Sequence, residues 1–291
     1  MPVLYTITPP NARKIKCVDF NGFYDQLEYI KDVARDNLYN AVKRVRHRDD
    51  WWGTRTLNQT IEGMKYGFQD DTNYFLNNIA EVKNNDGTSE GVKMSVEGSA
   101  YDMGAVIEGV PECCLNFNLP APVPYINIMV DLFFSGSFSA TQIRNRGIAI
   151  TNLVNTLLFN GYAVDLHAFE FNSQWDQNVM YTIKIDTKNL SMADLAFLCS
   201  PEYFRKIALL TIDKRRDSAS SAGMGSSEVL PFMLKKFKKS KVFFIGGSIS
   251  DKNIGSQLSS VKQANKYITK IFQKYCDENK IVITFNGENE K

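Results

Sequence analysis

Between Tyr125 and Gly161 an apolar run passes through Ser135-Gly-Ser137 into a capped amphipathic stretch that closes on a glycine. No other part of the chain constrains the fold as tightly, because a strand, a tight loop, a helix and a left-handed stop in succession return the next strand beside the first. Ile143, Gly147, Ile150, Val154 and Leu157 share one side of the helix predicted over 141–160. Downstream the pattern continues. Strands are predicted at 125–134, 163–171, 179–186, 206–213, 241–246 and 281–285, and helices from 191, at 228–238 and at 257–278. In the last helix Val261, Ala264, Ile268, Ile271 and Tyr275 face inward and Lys262, Lys266, Lys270 and Lys274 face solvent. Such alternation predicts an α/β fold, a mainly parallel sheet with helices on both faces. Only Asn172 to Asn178 separates two of the strands, too short for a parallel crossover, so one edge strand should run antiparallel.

Residues 1–120 read differently, as a mostly helical domain. Phe23, Leu27, Ile30, Ala34, Leu38, Ala41 and Val45 make one apolar face of a helix ending near Arg48. Thr56 precedes a second helix, with Leu57, Ile61 and Met64 on one side, and Thr72 is placed to cap a third carrying Phe75, Leu76 and Ile79. A short strand at 92–96 and a short helix from Ala100 to Glu108 follow. At Leu119-Pro-Ala-Pro-Val-Pro124 three alternate prolines form a stiff connector, which sets the predicted boundary between domains 1–120 and 121–291.

Composition narrows the function. A net charge of +2 over 291 residues gives no global field for a polyanion, so any such partner must be held by local clusters. No run of about 18 apolar residues offers a membrane span, and no signal-peptide pattern opens the chain. Five cysteines without a CxxC pair argue against a disulfide framework and for a reducing cytoplasm. With two histidines a zinc site is not expected, and no cofactor is. The chain lacks GxxxxGK[ST], GxGxxG after a strand, HExxH and GxSxG, so no enzymatic activity is expected. His167, inside a strand, reads as a hydrogen-bonded core residue.

Three basic clusters point to nucleic acid. Lys43, Arg44, Arg46 and Arg48 stand just before Trp51 and Trp52, cations for phosphates beside surfaces on which unpaired bases stack. Arg215 and Arg216 form the second cluster, and Lys235, Lys236, Lys238 and Lys239 the third, on either side of a Ser, Gly and Ala-rich segment. The structural alternative is that the cations favour a helix C-terminus and the tryptophans fill a core.

The order strand, helix, strand, antiparallel strand, with Phe133-Phe-Ser-Gly-Ser-Phe-Ser139 after the first strand and Leu209-Leu-Thr-Ile-Asp213 ending the fourth, resembles the von Willebrand factor A fold over about residues 122–286. That resemblance implies a divalent cation, magnesium, held by Ser135, Ser137 and Asp213, with Thr187 or Ser191 in the threonine place. The leading aspartate of the motif is replaced by Phe133. Trp52-Gly-Thr54, Thr60-Ile-Glu-Gly63, Gly109-x-Pro-Glu112, Arg146-Gly147 and Asn160-Gly-Tyr162 are similar to an uncharacterised bacteriophage family with this kind of domain. The expectation is therefore a non-enzymatic phage protein in the host cytoplasm that binds RNA or single strands and engages no membrane. The alternative is a module that grips a host or phage protein through the top of the sheet.

Overall fold

A computed structural model describes residues 2–8, 14–31, 53, 55–78, 93–95, 100–101, 114–116, 125–132, 134, 137–174, 177–187, 192–208, 210–212, 241–246 and 254–281. Its centre is a six-stranded sheet of β1 (Val3–Ile7), β2 (Ile15–Phe20), β6 (Tyr125–Asp131), β7 (Ala163–Gln174), β8 (Gln177–Ile185) and β9 (Val242–Ile245). Their order is β1-β2-β8-β7-β6-β9. The pairs β2/β8, β7/β6 and β6/β9 are parallel, and β1/β2 and β8/β7 are antiparallel. Three short strands, β3 (Lys93–Ser95), β4 (Ala100–Tyr101) and β5 (Cys114–Asn116), form a second sheet in the order β3-β5-β4.

Several expectations are corrected. The reversed strand β8 is present but is not an edge, because β2 and β1 lie beyond it. Those two strands come from the first 20 residues, so the sheet draws on both sides of the boundary expected at Leu119–Pro124. Ala100 and Tyr101 are strand rather than the start of a helix. The described residues of the run 206–213 are helical and not strand: π-helical turns span Tyr203–Ala208, and Leu210–Ile212 are helical. Ile207, Ala208, Leu210, Thr211 and Ile212 are all buried, and a run buried on every side carries no periodicity to separate strand from helix. The expected helix at 228–238 and residues 282–285 of the strand expected at 281–285 lie outside the described residues, as do residues 32–48 of the first helix.

The helices are α1 (Phe23–Ile30), α2 (Leu57–Tyr66), α3 (Gln69–Asn78), α4 (Ala140–Phe159), α5 (Met192–Leu198), the short α6 (Ile254–Gln257) and α7 (Val261–Asn279). Thr56 and Ser139 each close a capping box, Thr56 with Gln59 and Ser139 with Gln142. Thr72 is no cap; α3 starts three residues earlier, at Gln69. Gly161, with φ of 78°, ends α4 and lets the chain turn into β7.

Strand side chains alternate between two faces. Val18, Phe20, Ile128, Val130, Leu166, Ala168, Tyr181, Ile183, Phe243 and Ile245 point to the face covered by α1, α2, α4, α5 and α7. On the opposite face Ile15, Cys17, Phe169, Phe171 and Met180 form a cluster built, among the described residues, from strand side chains alone. Helices on both faces had been expected; the described helices cover one.

A polar thread crosses the helix-covered core. The Tyr203 hydroxyl donates to Gln26 Oε1 at 2.9 Å, Gln26 Nε2 donates to Thr211 Oγ1 at 2.9 Å, and the Tyr181 hydroxyl donates to Glu170 Oε2 at 3.3 Å. Burial raises the pKa of both tyrosines. Because a buried group stripped of its partner bears its full desolvation cost, Tyr203→Phe should destabilise the fold by about 1–3 kcal/mol. Urea denaturation should show this as a lower midpoint with the slope unchanged.

Candidate functional site

Two regions carry the chemistry that the described residues offer. The first is the topological switch point at β6. From β6 the chain crosses through α4 to β7 on one side and later reaches β9 on the other, which opens a crevice at the carboxyl ends of β6 and β9. Side chains of α4 fix that end. Gln142 Nε2 donates to the Gly255 carbonyl at 2.9 Å and Asn145 Nδ2 to the Leu258 carbonyl at 2.9 Å. Arg146, only 2% exposed, donates through Nη2 to the carbonyls of Ile245 at 3.0 Å and Gly246 at 2.9 Å. Burial pulls its pKa down, and Asp131 opposes that shift. Its guanidinium stands over the Phe134 ring at 5.0 Å. From the far side Arg205, 1% exposed, donates through Nη2 to the Phe138 carbonyl at 2.7 Å.

These contacts bear on the magnesium expectation. Ser137 is exposed beside this crevice, whereas Ser135 and Asp213 lie outside the described residues. The strand that was to deliver Asp213 is helical, and the place beside β6 is filled by β9. Thr187 sits at the opposite end of the sheet, its hydroxyl donating to the Val164 carbonyl near the start of β7. Around Phe134 and Phe138 the described charges are Asp131 against Arg146 and Arg205. A hard divalent cation needs carboxylate oxygens to offset its dehydration, and two guanidinium groups against one carboxylate do not fit it. Among the described residues no His, Cys, Asp and Glu side chains group as metal ligands.

The second region lies where α2, α3 and the π-helical segment meet. Arg55 Nη1 reaches Asp71 Oδ2 at 2.8 Å and Glu202 Oε1 at 3.3 Å, and Arg144 Nε reaches Asp71 Oδ1 at 3.1 Å. Lys206 Nζ donates to the Arg55 carbonyl. Asp71, Glu202 and Lys206 are buried, and Arg55 and Arg144 reach them from the partly exposed edge, so three cations and two carboxylates share one cluster. Burial raises the pKa of Asp71 while Arg144 and Arg55 work against the rise, and burial lowers that of Lys206 while Glu202 opposes. The Arg55 guanidinium lies over the Phe68 ring at 3.8 Å, and a cleft of about 300 Å³ opens beside it. The chain pattern gave no sign of this group, because its members come from positions 55, 71, 144, 202 and 206 and converge only in the fold.

All twelve residues predicted to contact nucleic acid, Lys43, Arg44, Arg46, Arg48, Trp51, Trp52, Arg215, Arg216, Lys235, Lys236, Lys238 and Lys239, lie outside the described residues. The cationic surface that is described belongs to α7. Lys262, Lys266, Lys270 and Lys274 are all exposed along it, and none has a carboxylate partner among the described residues. Tyr275 donates to the Lys241 carbonyl at 2.6 Å, which brings exposed Lys241 to the end of the same helix as exposed Lys280. His167, on the strand-only face, is half-buried and lies 3.0 Å from Asp165, which Lys184 also approaches at 3.3 Å. No described helix is long and apolar enough to cross a membrane.

A family model described as a domain of unknown function, DUF7192, matches residues 7–275. The chain belongs to the DUF7192 family. No curated protein matches it, and no solved structure does. The match begins at the last residue of β1 and runs nearly to the end of α7, so the other five strands of the six-stranded sheet and the four lysines of α7 fall within the DUF7192 unit, whereas β1 lies almost wholly before it.

Removing one partner from a buried ionic group leaves the others uncompensated, so Asp71→Ala should cost about 3–5 kcal/mol. Thermal unfolding would show the loss directly. Glu28→Ala, at the exposed Lys31–Glu28 pair, should leave the transition where it is.

Proposed function

We propose that this DUF7192 protein binds nucleic acid, RNA or single strands, without performing chemistry on it, in a phage-infected cell. The observation that carries the reading is the lysine row of α7. Lys262, Lys266, Lys270 and Lys274 recur every fourth residue, about 6 Å apart along the helix. From Val261 to Cys276 no acidic residue interrupts them. Four cations in a row, with no carboxylate partner among the described residues, repel one another, a cost that a phosphate backbone relieves while releasing its own counterions. The near-neutral total charge then reflects a polarised surface. In this reading the three basic clusters of the sequence, with Trp51 and Trp52, extend the same function.

A second reading is favoured by the switch point. The order β8-β7-β6-β9 with β8 reversed is similar to the von Willebrand factor A arrangement, and Ser137 lies exposed at the crevice end. A host or phage protein docking there would do so through the loop after β6. Fold analogy supports this reading, not site chemistry.

Titrating labelled single-stranded RNA across a salt series separates the two. The wild-type chain should bind with affinity that falls steeply with salt. Replacing all four α7 lysines with glutamine should weaken binding and flatten the log-log salt slope by about 2–3, from roughly 0.7 per phosphate contact on a single strand. Equal affinity and slope in the variant would remove the row from the function. Loss of protein-partner capture on Ser137→Ala, with RNA affinity and salt slope unchanged, would favour the crevice.

A further inference from the structure

The cleft beside Arg55 is built before any ligand arrives. α2 ends at Tyr66, and Gly67, with φ of 70°, donates its N–H to the Gly63 carbonyl at 2.8 Å and turns the chain back. That reversal lays the Phe68 ring on Gly63 so closely that a Cβ there would stand 2.3 Å from Phe68 Cε1. Phe68 is the floor. Over it lies the Arg55 guanidinium, fixed by Asp71 and Glu202 with 18% of the side chain still exposed. Gln59, Glu62 and Tyr66 complete the lining. Tyr66 is 80% exposed, an aromatic ring left in water at the mouth.

Each part suits one ligand class. At about 300 Å³ the cleft stands at the small end of the roughly 300–1,000 Å³ of small-molecule sites, right for one base and too small for a folded partner. A guanidinium plane and an exposed tyrosine are the surfaces on which unpaired bases stack. Gln59 Oε1 is occupied by the Thr56 N–H at 2.8 Å, which leaves its amide donors for the ligand. Glu62 is exposed and has no partner among the described residues, so it offers two acceptor oxygens. Among the bases guanine alone presents two adjacent donors, N1–H and N2–H, beside an acceptor, O6, on its Watson–Crick edge. Lys65, exposed on the same helix end, is available to a phosphate. In sequence the basic and aromatic run from Lys43 to Trp52 leads directly into Gly53 and Arg55.

We propose that this cleft receives one unpaired guanine of the bound strand, read by Glu62 and Gln59 and stacked by Tyr66 and Arg55. The inference rests on the nucleic-acid reading but adds a site and a base preference that the lysine row does not supply. The row holds any strand; the cleft chooses where the strand sits.

The test uses the full chain with hexanucleotides, one of uridines only and one carrying a single guanosine, and with guanosine monophosphate alone. The guanosine-bearing strand should bind more tightly than the uridine strand. Tyr66→Ala should cost about fivefold to a hundredfold on the guanosine strand with the salt slope unchanged, and Glu62→Gln should erase the preference. Both positions are exposed, and circular dichroism should show both variants folded. Guanosine monophosphate should bind saturably to the wild type and to the α7 lysine variant, and not to Tyr66→Ala. If neither strand binds but guanosine monophosphate does, the strand reading fails and the cleft stands. If strands bind without base preference and guanosine monophosphate does not bind, the cleft proposal is overturned and the strand reading stands.

Discussion

The hydrogen bond from Tyr203 to Gln26 joins segments that sequence places 177 positions apart, and the rest of the fold is arranged around it. Tyr203 opens the π-helical segment, Gln26 lies in α1, and Tyr181 with Glu170 carries the thread into the middle of the sheet. The aromatic contacts around it are close: Phe23 meets Tyr203 at 5.6 Å and Phe197 meets Tyr203 at 5.3 Å, both edge to face. Apolar burial alone would hold these elements together but would not fix their register. A hydrogen-bonded thread in a dry core admits few arrangements, because every alternative leaves a polar group without a partner.

The same π-helical segment positions the polar site. With Tyr203 anchored inward, Glu202 and Lys206 come to opposite sides of Arg55, one bonding its guanidinium and the other its carbonyl. Arg55 is thereby fixed over Phe68. Wide turns of this kind are uncommon and gather at functional sites. Here the widened turn accompanies a cluster whose charges cost free energy to bury. Arg205, on the same segment, reaches the other way to the loop after β6, so a single stretch of helix braces both the cleft and the switch-point crevice.

How much of this the chain discloses depends on whether the signal is local. The capping box at Thr56, the stop at Gly161 and the hairpin of β7 and β8 are legible because each follows from a few neighbouring residues. The outward lysines of α7 are legible because one face of that helix is wet. β2 escapes notice because its residues are buried on both faces, which removes the alternation that marks a strand. The segment ending at Ile212 misleads for the same reason, and with it goes the expected carboxylate for a metal. Arg146 falls on the apolar side of its helix beside Ile143 and Ile150, and that position is the one sequence clue to a buried guanidinium. The cluster at Arg55 has no local signature at all.

The described surface is cationic along one helix, and the proposal adds to it a cleft that receives one base. Photo-crosslinking of a guanosine-bearing RNA hexamer to the intact protein, with the adducts mapped by peptide mass spectrometry, tests that picture most directly. The account predicts adducts in peptides covering Arg55 to Phe68 and in α7, lost together as salt rises. Adducts confined to the loop after β6, or none at concentrations where a control RNA-binding protein is fully labelled, would contradict it.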